Sequence, residues 1–215
     1  MRSALCAGIA LSMLAGTASA QFTAPMPPHL STFSGSTRGY YFTAPTNFRI
    51  TGVQVMLPTG STNQFMNFSI VRFDNNTPPP LFSATTNAFE KLAGGLDLPT
   101  GSFAPVNVQV FAGDVIGIYG NSMAAAGGAS GTNSYGNAPG GNFTEIFGNQ
   151  VALFRSGMQF HLGSNNPTNS VMHDIWAEGT ANTSNITRIE FQYIPAPAAA
   201  GLLGLAGLVA LRRRR

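Results

Sequence analysis

The chain has 215 residues, with 11 Lys or Arg against 8 Asp or Glu and a single cysteine. Five of those cations, Arg2 and Arg212 to Arg215, sit at the extreme ends; the six between Gln21 and Leu211 face all eight acids, leaving that body at net charge −2. Six scattered cations make no basic face able to displace counterions from phosphates, so nucleic-acid binding is excluded as a function class.

The first twenty residues read "MRSALCAGIALSMLAGTASA": one cation at Arg2, an apolar stretch from Ala4 to Leu14, then Ala18-Ser19-Ala20. This is the order of a secretory signal peptide with a small-x-small cleavage site, and it predicts cleavage after Ala20 with Gln21 as the new N-terminus. The apolar stretch is short for an N-terminal anchor, the alternative reading. Cys6 lies inside this segment, so the mature chain has no cysteine and must hold together through an apolar core.

Residues 21–193 carry few charges and much Gly, Asn, Ser, Thr, Pro and Phe, with no sustained 3.6-residue apolar period. In chain order the strand candidates are "RGYYF" (38–42), "FRITGVQVML" (48–57), "FSIVRF" (68–73), "VNVQV" (106–110), "DVIGIY" (114–119), "VALFR" (151–155), "MQFHL" (158–162), "DIWAE" (174–178) and "TRIEFQY" (187–193). In "VNVQV" the three valines face one way and Asn107 and Gln109 the other; in "TRIEFQY", Thr187, Ile189, Phe191 and Tyr193 share a face. Such runs, separated by turn chemistry, predict an all-β fold: an antiparallel two-sheet β-sandwich, jelly-roll-like, with one core face and one wet face per sheet. A signal helix is expected before it and a short apolar helix after it. "LPTGS" occurs at 57–61 and again at 98–102, where proline and glycine suit a reversal; turn convergence explains the pair, with a duplicated half-domain as the alternative.

The uncharged segment from Gly120 to Phe143 is expected to be a long loop. It is either a flexible insertion or a lip over a binding face, in which case Tyr135 and Phe143 would offer stacking surfaces to a sugar.

Candidate chemistry is sparse. His161, His173 and Asp174 form the one cluster that could suggest zinc, while His29 stands apart in a Pro-rich leader; their spacing matches no ligand motif, and no metal or cofactor is expected. No G-x-S-x-G elbow is present. A glycosidase pair could in principle come from Asp114, Glu145, Asp174 and Glu178, of which Asp174 and Glu178 would share a side if they lay on one strand. Asp74, Asn75 and Asn76 are oxygen-rich enough for Ca²⁺ but also read as a plain turn before three prolines. The sequons at Asn67, Asn75, Asn142, Asn182 and Asn185 are expected by chance in so Asn- and Thr-rich a chain.

The chain closes with "IPAPAAAGLLGLAGLVALRRRR". Residues 198–211 would make a helix of roughly 21 Å against a hydrocarbon core of roughly 30 Å, marginal as a permanent span. The arginines favour the cytoplasmic side, which leaves the body outside, as the N-terminal segment also requires. The order Pro195-Ala196-Pro197, apolar run, then Arg212, Arg213, Arg214 and Arg215 resembles the PEP-CTERM family of bacterial sorting signals, with Ala196 where the family carries glutamate. The resemblance implies recognition by an exosortase-like membrane protease, transient membrane insertion of the tail, and release to or retention at the cell surface. "TRGYYFTAPTNFRITGVQV" is similar to β-sandwich ectodomains of secreted bacterial proteins. Together these readings predict a signal peptide (1–20), an ectodomain (21–193) and a sorting tail (194–215). The expected function is that of a non-enzymatic cell-surface or extracellular-matrix protein that binds polysaccharide; the alternative is a secreted polysaccharide hydrolase.

Overall fold

The computed structural model describes residues 20–128, 130–163 and 171–196. The expected signal helix, with Ala18, and the tail from Pro197 through Arg215 lie outside the described residues. Among the described residues no helix is long and apolar enough to cross a membrane.

Strands are numbered in chain order. A smaller sheet contains β1 (Phe22–Thr23), β4 (Phe48–Val55), β7 (Ala104–Val110) and β15 (Ile189–Pro195), in the order β1-β15-β4-β7. A larger sheet runs β13 (Trp176–Ala177), β12 (Phe154–Gly157), β3 (Arg38–Thr43), β8 (Val115–Met123), β5 (Phe65–Phe73) and β6 (Phe89–Pro99). From β8, the Ser122↔Thr132 pair leads to β9 (Gly131–Gly136), which also pairs with β2 (His29–Gly35) and β14 (Ile186–Thr187). A hairpin of β10 (Phe143–Ile146) and β11 (Asn149–Ala152) stands beside them. All these strand pairings are antiparallel.

The main core lies between the sheets. Ile50, Val53, Val55, Val108, Val110, Phe191 and Tyr193 from the smaller sheet join Tyr40, Phe42, Met66, Phe68, Ile70, Ile116 and Ile118 from the larger. Strict alternation would turn either the Phe48/Ile50 pair or the Val53/Val55 pair outward. A register shift between Ile50 and Gly52 changes the phase, so that all four are buried. The first "LPTGS" is a turn closed by Ser61 N–H donating to Pro58 O at 3.0 Å, with Gly60 at φ 74°. In the second, Gly101 takes φ 86°.

Four expectations are corrected. The larger sheet is not wet on its outer face: Tyr41, Val71, Phe73, Val115, Tyr119 and Ala177 are covered there by Met158, Leu162, Met172 and Ile175. That cover consumes "MQFHL", which forms no strand, and leaves only Trp176 and Ala177 of "DIWAE" in one. "TRIEFQY" is not one strand. The chain changes sheets at Arg188, whose N–H donates to Ser134 O of β9 and whose carbonyl accepts Met56 N–H beyond β4. The segment 120–143 is no long loop, since β8 extends to Met123 and β9 fills 131–136. Four of its polar residues, Asn121, Ser122, Asn133 and Ser134, are buried with partners rather than exposed. Asn133 Oδ1 accepts Arg38 N–H at 3.3 Å, its Nδ2 donates to Ser36 O at 3.1 Å, and Ser134 Oγ meets His29 Nδ1 at 2.9 Å.

Candidate functional site

The site grows from two glycines in the register of β3 and β12. Arg38 pairs with Gly157, and Gly157 with Trp176, so Arg38 and Trp176 are next-but-one neighbours on one row with no side chain between them. The gap closes: the Arg38 guanidinium carbon lies 5.0 Å from the Trp176 ring centroid. A Cβ at position 157 would come within 2.7 Å of Arg38 Cδ, so the glycine is what permits the stack. On the other face of the sheet the adjacent row repeats the device. Tyr119 reaches Ser156 across Gly39, with the two hydroxyl oxygens 2.7 Å apart. Ser156 donates onward to Trp176 O at 2.6 Å, so the Tyr119 hydroxyl is the donor to Ser156. Burial pushes the Tyr119 phenol above its ordinary range.

Arg38 is only 7% exposed. The Phe33 ring of β2 also packs on it, 4.9 Å away, and Nη1 donates to Met158 O at 2.6 Å and to Thr37 O at 3.2 Å. Its Nε is buried without a hydrogen-bond partner among the described residues. Burial pulls its pKa down and Arg155 adds repulsion, against the opposing pull of Tyr135 and Glu178; a guanidinium nevertheless stays protonated.

Arg155 follows two residues before Gly157 on β12 and therefore emerges on the Arg38 side of the sheet. It is backed by Tyr135 of β9, whose ring centroid is 4.9 Å from the guanidinium carbon and whose hydroxyl accepts from Nη2 at 3.3 Å. Its Nε is 2.6 Å from Glu178 Oε2, a contact of charges without hydrogen-bond alignment. The wall opposite is built by the chain after the three prolines. Phe82 N–H donates to Ala177 O at 3.0 Å and Ala177 N–H to Pro80 O at 2.7 Å, which lays Leu81 and Phe82 along the edge of β13. Phe82 is 59% exposed and meets Trp176 edge-on at 5.4 Å.

Between these walls is a cleft of ≈ 420 Å³ whose lining includes Arg38, Phe82, Arg155, Gln159, Trp176 and Glu178. It offers hydrogen-bond donors, one carboxylate and an exposed flat apolar surface. That is equipment for holding a ligand.

The residues singled out from the sequence are dispersed. Asp114 is buried, accepts from Phe111 N–H at 2.8 Å and pairs with Arg72 at 3.0 Å. Glu145 is exposed on β10. Asp174 exchanges two hydrogen bonds with Asn87, at 2.8 and 3.0 Å, and contacts His173 at 3.0 Å. The His173 and Asn87 hydrogen bonds hold its carboxyl below the ordinary carboxylate range. Of the four glycosidase candidates only Glu178 lines the cleft. Among the described residues no three His, Cys, Asp or Glu are grouped to hold a metal, so His161, His173 and Asp174 do not form a ligand set. Asp74–Asn76 form a short 3-10 turn, with Asn75 and Asn76 both at φ 54°.

Tyr135 and Phe143 do not form a lip. Tyr135 is buried in β9, stacked on Phe33 at 5.8 Å, and acts as backing for Arg155; burial raises its phenol pKa, against the two arginines. Phe143 stands partly exposed on the separate hairpin. Asn67 and Asn142 of the sequons are fully buried. Pro195 ends β15, Ala196 follows it, and Ala20 and Gln21 are exposed. Sequence reasoning missed Arg38, Arg155, Phe82 and Gln159, which only strand register assembles; the hydrophobic Leu81–Phe82 step after "PPP" is the one local hint.

Comparison with known proteins finds no matching family model, no similar curated protein and no similar solved structure.

Proposed function

We propose that this chain is an exported, non-enzymatic surface or matrix protein, a jelly-roll-like β-sandwich that binds polysaccharide in the Arg38–Trp176 cleft. The observation that carries the reading is the exposed Phe82 ring beside Arg155, Gln159 and Glu178. A sugar ring has an apolar face that packs on an aromatic side chain and hydroxyls at its rim that take polar partners, and this cleft supplies both. The dispersal of the acids favours binding over hydrolysis, because a glycosidase needs two carboxyl groups flanking one bond.

The N-terminal signal and the PEP-CTERM-like tail supply the address: export, transient anchoring by the apolar run, and processing by an exosortase-like protease at the cell envelope. Among the described residues the first strand begins at Phe22 and the last ends at Pro195, so the body between the two expected signals is sheet-forming at both of its ends. Gln21 Nε2 also donates to Gln192 Oε1 at 2.6 Å, placing the expected new N-terminus beside the last strand.

Affinity electrophoresis of the purified chain through gels containing dextran, galactomannan or polygalacturonate tests the binding. At least one polymer is expected to retard it, with Phe82→Ala weakening retention about threefold to tenfold, the worth of one aromatic contact. No retardation in any gel would end the binding reading. Intact mass of the surface-located protein tests the sorting, which fails if the terminus still carries Arg212 to Arg215.

A further inference from the structure

The geometry points to an acidic sugar as the ligand: Arg155, with Arg38 behind it, receives the carboxylate of a uronate residue, displacing Glu178. This rests on the polysaccharide reading and narrows it from any glycan to a carboxylated one.

Among the described residues two guanidinium groups and one carboxylate line the cleft. The carboxylate already present marks where another would sit, since Glu178 Oε2 is 2.6 Å from Arg155 Nε. The two partners are unequally held. The Glu178 side chain is 46% exposed, so it can swing into water, whereas that of Arg155 is 19% exposed and fixed by the Tyr135 ring and hydroxyl. A carboxylate arriving on a sugar would find the fork in place and lose little in ordering it.

Arg38 makes the second argument. It is a buried cation whose Nε lacks a hydrogen-bond partner among the described residues and whose Nη1 bonds only neutral carbonyls, with the Phe33 and Trp176 rings both against it. Among the described residues no carboxylate touches it; a buried charge so placed is costly, and it strengthens the field felt by any anion entering the cleft. Beside this charge the exposed Phe82 provides the platform for the sugar ring, and exposed Gln159 donors or an acceptor for its hydroxyls.

The test sets polygalacturonate against its fully methyl-esterified form, which keeps the sugar and removes the charge, with dextran and dextran sulfate as further arms. Wild-type chain is expected to bind the acid at least tenfold more tightly than the ester. Glu178→Gln, which removes the competing carboxylate, should tighten that binding about threefold to tenfold. Arg155→Gln should abolish the preference for the acid, and Arg155→Lys should recover only part of it, because an ammonium lacks the planar fork. Trp176 fluorescence and the melting temperature check that each variant is folded. Equal binding of acid and ester, or a Glu178→Gln variant that binds the acid less well, overturns the proposal while leaving a glycan site. Dextran sulfate held as tightly as polygalacturonate, with Lys equal to Arg at 155, reduces the site to a general cation patch and also overturns it. Binding to no polymer removes both this proposal and the function on which it rests.

Discussion

Replacing Gly157 by alanine puts one methyl group where the Arg38–Trp176 stack needs none. The added Cβ would lie 2.7 Å from Arg38 Cδ, 3.1 Å from Thr37 O and 3.3 Å from Trp176 Cζ2. Carbon atoms settle at about 3.5–4.0 Å, so Arg38 must move by close to an ångström. It is pinned by the 2.6 Å bond to Met158 O and by the Phe33 and Trp176 rings. Either the strands part or the guanidinium leaves the indole. Overpacking costs about 1–3 kcal/mol, and the alternative forfeits a desolvated cation–π contact of about 2 kcal/mol. The reduced freedom of the unfolded chain returns about 0.4–1 kcal/mol. A net loss of about 1–2 kcal/mol follows, and with it a drop in Tm of roughly 2–8 °C for a chain of this size. Trp176 is the single tryptophan, so its fluorescence in a urea titration reports both the stack and the unfolding. The decisive comparison repeats the substitution in an Arg38→Ala background, where most of the cost should vanish. An alanine that is harmless in the wild type, or equally harmful without Arg38, refutes the reasoning.

Two further outcomes are expected. All five tyrosines, Tyr40, Tyr41, Tyr119, Tyr135 and Tyr193, have pKa values raised chiefly by burial. Raised folded values give stability that is complete below the unfolded pKa of about 10 and is lost as pH climbs through the folded values. Tyrosinate absorbance should therefore stay flat past about pH 10 and then rise with cooperative unfolding; smooth titration of a still-folded chain near that pH would count against the buried phenols. Asn67→Ala removes the acceptor for Asp97 N–H, at 2.7 Å, and the donor to Asn121 Oδ1, at 3.1 Å. Stranding the buried Asn121 amide and the half-buried Asp97 N–H should cost about 1–3 kcal/mol in urea unfolding, and a change under about 0.5 kcal/mol would show that the pair is not needed.

The sequence carried the fold class because β4, β5, β7 and β8 alternate or run apolar over about five residues or more and β3 carries three aromatic residues in a row. It failed where burial follows hydrogen bonding instead of hydrophobicity. Asn133 and Ser134 in β9 look like loop text but are interior residues whose polar atoms are all engaged locally, through Arg38, Ser36 and His29. "MQFHL" failed in the opposite sense: its apolar Met158 and Leu162 cap an outer sheet face without forming a strand. The cleft was illegible for a third reason. Arg38, Phe82, Arg155 and Trp176 are distant in sequence, and what joins them is the absence of a side chain at Gly157, which carries no pattern of its own.

The pairing of β1 with β15 has a kinetic consequence. Phe22 lies opposite Tyr193 and Val55 opposite Ile189, so the small sheet joins the beginning of the body to its end. Such long loops close slowly, and their contacts return nothing until they do. While the final strand is missing, β4 presents a bare edge and the slots for Phe191 and Tyr193 stand open to solvent. The chain therefore acquires its native core only once residue 193 is free to dock. Any process that holds back the last strand also holds the molecule in its most adhesive state.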